Sequence, residues 1–273
     1  MSEQDFRLEI PEQERKAYLM LALESLVTTR KIILGYWSNS SFDVQSKDDA
    51  SPVTQADLES EVAFRELISK RHPTHGIIGE EFPSVNPESE FQWTIDPVDG
   101  TQNFAFGIPT FGTMLSLRFR NKPIVGLIDH PALGRLVHSG YGLGTYFNDS
   151  KVRISDVTQS SLAPDTIVLT STRAMFERTG EGHLLDSFMK RHQVTRIYYD
   201  CFGHSLVAGG HAPVAVEFNV RIWDSSPTEL MVQEAGGAFE YVREHPDTGK
   251  RNFLSAIFGK PRLVELLKEQ FNS

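Results

Sequence analysis

The hydrophobic run Phe91-Gln92-Trp93-Thr94-Ile95 feeds without a break into Asp96-Pro97-Val98-Asp99-Gly100-Thr101, and that junction constrains the fold more than any other feature of the chain. A strand that ends on carboxylates belongs in a sheet whose carboxyl ends face a cleft, which is where open α/β sheets bind ligands. Asp96 and Asp99 straddle a proline, so the chain is expected to turn there and let both carboxylates approach one point. Gly100 lets the backbone come close to a ligand. A helix opening at Thr101 would aim its free N–H groups at an anion. Phosphoryl hydrolysis requires hard cations held by oxygen ligands, and Gly79-Glu80-Glu81 upstream adds two more carboxylates for that task. Asp-Pro-x-Asp-Gly is also ordinary turn chemistry, and a glutamate pair at a strand end is also a solvated loop.

Charge narrows the partners. A formal charge of -9 over 273 residues argues against binding nucleic acid through a broad basic surface. An acidic protein acting on an anionic substrate needs divalent cations to invert the local field. With 40% hydrophobic residues the chain can bury a substantial core. Cys201 is the only cysteine, so an intrachain disulfide and a zinc site built on several thiolates are excluded, and it reads as a small core or pocket residue. The acidic start Met1-Ser2-Glu3-Gln4-Asp5 lacks the features of a signal peptide, and no stretch of some twenty apolar residues follows, so a cytoplasmic protein without a membrane partner is expected. The histidines form no zinc spacing; His72, His75 and His183 read as solvated helix flanks, and His130 as a candidate to line a cleft.

Periodicity predicts helices over 10–36, ending near Gly35, and over 54–70, then strands at 76–79, 91–95, 113–118, 124–128 and 136–139, the pattern of a largely antiparallel sheet. After a polar stretch at 155–163 the pattern becomes strand 166–170, helix 182–191, strand 194–199, helix 203–210, and strands 214–218 and 238–242, with a helix at 226–235 closed by Gly236-Gly237. A seam near 155 divides an N-terminal α+β subdomain, 1–155, from a C-terminal α/β subdomain, 156–273, within one compact unit. In Trp223-Asp224-Ser225-Ser226-Pro227, Asp224 reads either as a helix N-cap or as a third metal carboxylate.

Taken together, Gly79-Glu80-Glu81, Asp96 through Phe104, Trp223-Asp224 and Glu234-Ala235-Gly236-Gly237 resemble the inositol monophosphatase superfamily of magnesium-dependent, lithium-sensitive phosphatases. Lys47 through Asp57 resembles that family's mobile metal-site loop and the helix after it. Pro131-Ala132-Leu133-Gly134-Arg135 and Tyr199-Asp200-Cys201-Phe202 are similar to the histidinol-phosphate phosphatase branch, with two departures: Tyr199 replaces a glycine, and His204 stands where that branch often carries a larger or aromatic residue.

The resemblance implies an α+β layered αβαβα sandwich, often a homodimer, with two to three Mg2+ per site. Glu80, Asp96 and the Val98 carbonyl would hold one ion, and Asp96, Asp99 and Asp224 another. Thr101, paired with Glu80, would orient and help deprotonate the metal-activated water, with Glu81 in support. The amides of Gly100 and Thr101 would receive the phosphate, and Glu217 and Asp200 would line the alcohol pocket; Glu217 also reads as a surface charge at a strand end. An anionic pocket suits the amine of histidinol. The expected activity is hydrolysis of a small phosphorylated metabolite, histidinol phosphate, with inositol or related sugar and nucleotide phosphates as the alternative. A silent phosphate-binding relative would have lost a metal carboxylate or the Thr101 hydroxyl, and all are present.

Overall fold

The computed structural model describes residues 5–38, 45–46, 52–155, 166–178, 180–191, 194–245 and 253–271. Helix α1, Glu12–Ser38, runs straight through Gly35, the expected end: a Cβ there would meet nothing within 4 Å, and burial of Tyr18, Leu21, Ala22, Leu26 and Ile33 along one face carries the helix past it. Two short strands, β1 (Gln45–Ser46) and β2 (Pro52–Val53), pair antiparallel ahead of α2, Gln55–Arg71. Among the described residues no helix is long and apolar enough to cross a membrane.

The first sheet has seven strands in the order of the chain: β3 (Gly76–Gly79), β4 (Phe91–Asp99), β5 (Gly112–Phe119), β6 (Lys122–His130), β7 (Arg135–Gly140), β8 (Gly144–Phe147) and β9 (Ser150–Lys151). A short helix, α3 (Thr101–Ala105), leaves the end of β4. β3 and β4 are parallel and the remaining neighbours antiparallel, as the sequence pattern predicts. The expected turn at Asp96 is instead strand: β4 continues to Asp99 with a register shift between Asp96 and Asp99, and the chain turns only at Gly100. Pro97 fits an interruption of the ladder, because it has no N–H to donate.

The second half comprises β10 (Thr166–Leu169), α4 (Arg173–Arg178), α5 (Gly182–Arg191), β11 (Val194–Ile197), α6 (Asp200–Ala208), β12 (Val214–Val220), α7 (Ile222–Glu234), β13 (Ala238–His245), β14 (Phe253–Gly259) and α8 (Pro261–Phe271). Its five strands stand in the order β11-β10-β12-β14-β13. Sequence reading ended the strands at 242 and missed β8, β9, α4, β14 and α8. The signal for β14 was present, since Ser255 to Phe258 are all buried and a strand covered on both faces reads as a continuous apolar run rather than an alternation.

Alternation along β5 explains the layering. Leu115 and Leu117 face α1 and α2, packing with Phe64, Ile68, Trp93 and Ile95, while Met114 faces the other way. There it joins Val207 and Ala208 of α6, Met231 and Val232 of α7, and Ala215, Ala256 and Phe258 of the second sheet. The far face of that sheet buries Phe176, Phe188, Val264 and Phe271 from α4, α5 and α8. The result is the five-layer αβαβα sandwich, with α6 and α7 between the two sheets. Each fully buried large apolar side chain contributes roughly 1.5–3 kcal/mol, so the middle layer is firmly held. It delivers the N-termini of α6 and α7 to the carboxyl end of β4.

Candidate active site

Three carboxylates converge where these elements meet. Among the described residues, Asp96, Asp99 and Asp224 each bring an oxygen within 4.8 Å of the others; Asp96 is buried and the other two are partly exposed. Asp224 lies in the first turn of α7, three residues beyond Arg221, and is not the N-cap expected from sequence. Its Oδ2 accepts the backbone N–H of Arg221 at 2.8 Å, so it caps the helix from within. Its Oδ1, like Oδ1 of Asp96, is buried and finds no hydrogen-bond partner among the described residues. Two buried anionic oxygens without donors are costly unless a cation meets them. A hard, oxygen-preferring divalent ion fits that donor set.

Electrostatics agree with the geometry. Burial, then the nearby Glu80, Asp99 and Asp224, pushes the Asp96 carboxyl well above the usual range. Burial together with Asp99 and Glu80 does the same to Asp224. Asp99 is pushed up to about 6, chiefly by burial, against the lowering effect of the Cys201 backbone N–H that donates to its Oδ1 from the start of α6. Like charges packed this closely hold protons until a cation replaces them.

Glu80 follows β3, its backbone N–H donates to the Ile95 carbonyl at 3.1 Å, and its carboxyl shares a hydrogen bond with Asp96. The turn after it hangs on a residue that sequence reading passed over. Glu61 of α2 is fully buried, accepts N–H donors from Glu81 (2.9 Å) and Phe82 (3.3 Å), and pairs with Arg65 at 2.7 Å. Arg65 in turn donates to the carbonyls of Phe82 and Pro83. Gly79 makes room for this clamp, because a Cβ at that position would lie 1.9 Å from Glu61 Oε1. The role seen for Glu81 is therefore through its backbone.

Gly100 adopts φ +81, a left-handed conformation that suits glycine, and starts α3 beneath the cluster. The sequence reading paired Thr101 with Glu80, whereas its hydroxyl donates to the Val98 carbonyl at 3.0 Å. A hydroxyl has one proton, and here the strand's own carbonyl takes it. Asp57 accepts from the backbone N–H of Thr54 at 2.8 Å and from its hydroxyl, capping α2 one turn before Glu61. Lys47 lies outside the described residues.

On the other side of Asp99 stand Asp200 and Glu217, both of which the structure brings to the cluster. Asp200 occupies φ +61, a strained conformation for a residue with a side chain, and its Oδ2 accepts from Asn103 of α3 at 3.2 Å. Burial and the charges of Asp99 and Glu217 push its carboxyl well upward. Glu217 is buried rather than a surface charge, at 5% exposure. It accepts from Thr170, from Ser171 at 3.0 Å and from His204 at 2.7 Å. Thr170 and Ser171 carry no motif of their own, and chain folding alone brings them to Glu217.

Two further expectations change. His75 is buried, not solvated: it accepts from the Trp93 indole at 3.2 Å, its ring stacks on Phe91, and burial pushes it down to about 4. His130 lies behind the cleft, fully buried between the Phe111 carbonyl and the Ser205 hydroxyl, each at 2.9 Å. Cys201 is a buried packing residue whose thiol burial pushes far upward, which removes it as a nucleophile.

The profile of the inositol monophosphatase family matches residues 16–270. A histidinol-phosphatase from Chlorobaculum parvum is 37% identical over 224 residues, covering 82% of this chain and 85% of that one. A Nus factor SuhB from Pasteurella multocida is 31% identical over 214 residues, covering 76% and 78%. Among solved structures, the extragenic suppressor protein suhB from Bartonella henselae superposes with a TM-score of 0.80 at 26% identity, covering 93% of this chain and 97% of that one.

Proposed function

Because the chain belongs to the inositol monophosphatase family of phosphatases, we propose that it is a magnesium-dependent phosphomonoesterase whose substrate is the phosphate ester of a small cationic alcohol, histidinol phosphate. The observation that carries the metal half is the pair of orphaned oxygens on Asp96 and Asp224, two carboxylates that with Asp99 each bring an oxygen within 4.8 Å of the others. Glu80, Asp96 and the Val98 carbonyl would hold one ion, and Asp96, Asp99 and Asp224 another. When bound, magnesium supplies the positive charge that screens the phosphoryl oxygens and acidifies the attacking water.

The chain's own groups do the rest. The amides of Gly100 and Thr101, at the left-handed turn into α3, receive phosphate oxygens. Thr101, whose hydroxyl donates to the Val98 carbonyl, accepts a hydrogen bond from the attacking water and orients it, and Glu80 takes up the proton released. In-line attack then needs no covalent intermediate on the protein. Asp200 and Glu217 form an acidic wall whose charged form an ammonium group on the leaving alcohol would stabilise, which favours that group over a neutral polyol. The histidinol-phosphatase relative at 37% identity supports that choice.

The test is a rate comparison with magnesium between histidinol phosphate and inositol 1-phosphate. The proposal expects kcat/KM for histidinol phosphate to exceed that for inositol 1-phosphate by at least about tenfold, the worth of one charge-assisted contact. A dominant rate on inositol 1-phosphate would overturn the substrate.

A further inference from the structure

The buried ring of His204 joins the two halves of the site. The residue is 2% exposed, lies on the second turn of α6, and has its ring centroid 4.9 Å from that of Phe258. Its Nε2–H donates to Glu217 Oε2 at 2.7 Å, while Nδ1 lies 2.8 Å from Thr228 Oγ1. Thr228 belongs to α7, and its hydroxyl also lies 3.4 Å from the backbone carbonyl of Asp224, one turn earlier. A single imidazole therefore spans from the helix that carries a metal carboxylate to the carboxylate of the substrate wall.

Glu217 needs such a support. It stands on β12 where the pairing with β14 shifts register, between Glu217 and Val220, so the ladder is interrupted just beyond it until Val220 pairs with Leu254. Thr170 and Ser171 hold the carboxylate from the β10 side, and His204 holds it from α6. The bond from His204 joins a ring nitrogen to a carboxylate, and hydrogen bonds to charged groups are stronger than those between neutral groups.

We propose that His204 is a positioning residue: it fixes the Glu217 carboxylate in the pocket wall and so sets the preference for a cationic leaving alcohol. The proposal rests on the substrate reading above for its consequence, but not for its geometry. An ammonium group gains most from a carboxylate held in one place. A neutral polyol, which can rotate a hydroxyl toward a displaced oxygen, loses less when that carboxylate drifts.

Two substitutions separate positioning from packing. His204→Phe keeps a ring against Phe258 and removes both nitrogens, whereas His204→Gln loses the ring and places an amide N–H near the position of Nε2. The expected result for His204→Phe is a KM for histidinol phosphate raised about tenfold, with kcat and the KM for inositol 1-phosphate within about twofold of wild type. His204→Gln is expected to recover most of the loss. In a Glu217→Gln background, His204→Phe should add nothing further to KM, because the partner it positions is already altered. If His204→Phe does not fold, Thr228→Val, which leaves the ring in place and removes its anchor on α7, takes its place with the same expected direction.

A packing residue gives the reverse order, with Phe near wild type and Gln impaired, and that order overturns the proposal. An equal rise in KM for both substrates, or full additivity with Glu217→Gln, overturns it as well. If wild type turns over inositol 1-phosphate as fast as histidinol phosphate, the substrate reading fails alone. The coupling of His204 to Glu217 is then read in the thermal stability of His204→Phe, Glu217→Gln and the double variant, and full additivity there overturns the positioning role.

Discussion

The carboxylates on the two sides of Asp99 are differently equipped. Asp96 and Asp224 each leave a buried oxygen without a donor among the described residues. Glu217, buried like Asp96, accepts from two hydroxyls and an imidazole. On the proposed function the first group awaits cations from solution, whereas Glu217 has its donors supplied by the chain itself. That difference separates a metal site from a pocket wall better than the count of acidic residues does, and it implies that substitutions on the two sides fail in different ways.

The largest effect should follow Asp96→Asn. Removing the charge shared by both ions is expected to lower kcat/KM on the order of a thousandfold, several kcal/mol of transition-state stabilisation. Circular dichroism should show an intact fold, and calorimetry with Mg2+ should show binding lost; a variant retaining near-native turnover would break the metal half of the comparison. Thr101→Ala comes next, with a loss of about a hundredfold in kcat and little change in Mg2+ affinity, the signature of a group that orients water.

Glu61→Gln is expected to weaken Mg2+ binding about tenfold, in the range of substitutions that disturb groups supporting a metal ligand. It also leaves Arg65 without its buried counter-charge, so the melting temperature should fall. Calorimetry and a thermal melt check the two together, and unchanged Mg2+ affinity would mean that the turn carrying Glu80 does not depend on its clamp.

The smallest effect is a pH dependence of the metal-free protein. The Asp99 carboxyl is raised in the fold from 3.8 to about 6. Between those values the folded state therefore binds more protons than the unfolded chain, and the contribution of this group to stability falls as pH rises through the window. Melting temperature without metal should decline from pH 4 to 6 on that account. Saturating Mg2+ should reverse the slope, because the ion takes the place of the protons, and its affinity should fall below about pH 6. Asp99→Asn should flatten the metal-free slope, and a slope unchanged by that substitution would assign it to other groups.

The metal side was legible in the sequence because it is local. Asp96 through Thr101 are contiguous, Glu80 sits at the end of a neighbouring parallel strand, and Asp224 follows a tryptophan at a helix start. What misled was the backbone: Pro97 suggested a turn, and the ladder absorbs it as a register shift. Glu61 and Arg65 were passed over because an i,i+4 spacing on a helix carries no signal of burial, and only tertiary packing against Gly79 reveals it. Glu217 was placed by the family resemblance. Its partners come from the segment after β10 and from α6, and no local pattern ties residues 170, 171 and 204 to residue 217. Helix α8 had its start marked by Pro261, a favoured first-turn residue, yet only its burial of Val264, Leu267 and Phe271 distinguishes it from a tail.

The central claim is that the orphaned oxygens of Asp96 and Asp224 are a cation site on which phosphate release depends. Phosphate liberated from histidinol phosphate by chelator-stripped protein, measured before and after magnesium is added back, tests it directly. The account predicts negligible release without the ion and full turnover with it. Turnover undiminished in the stripped protein would contradict it.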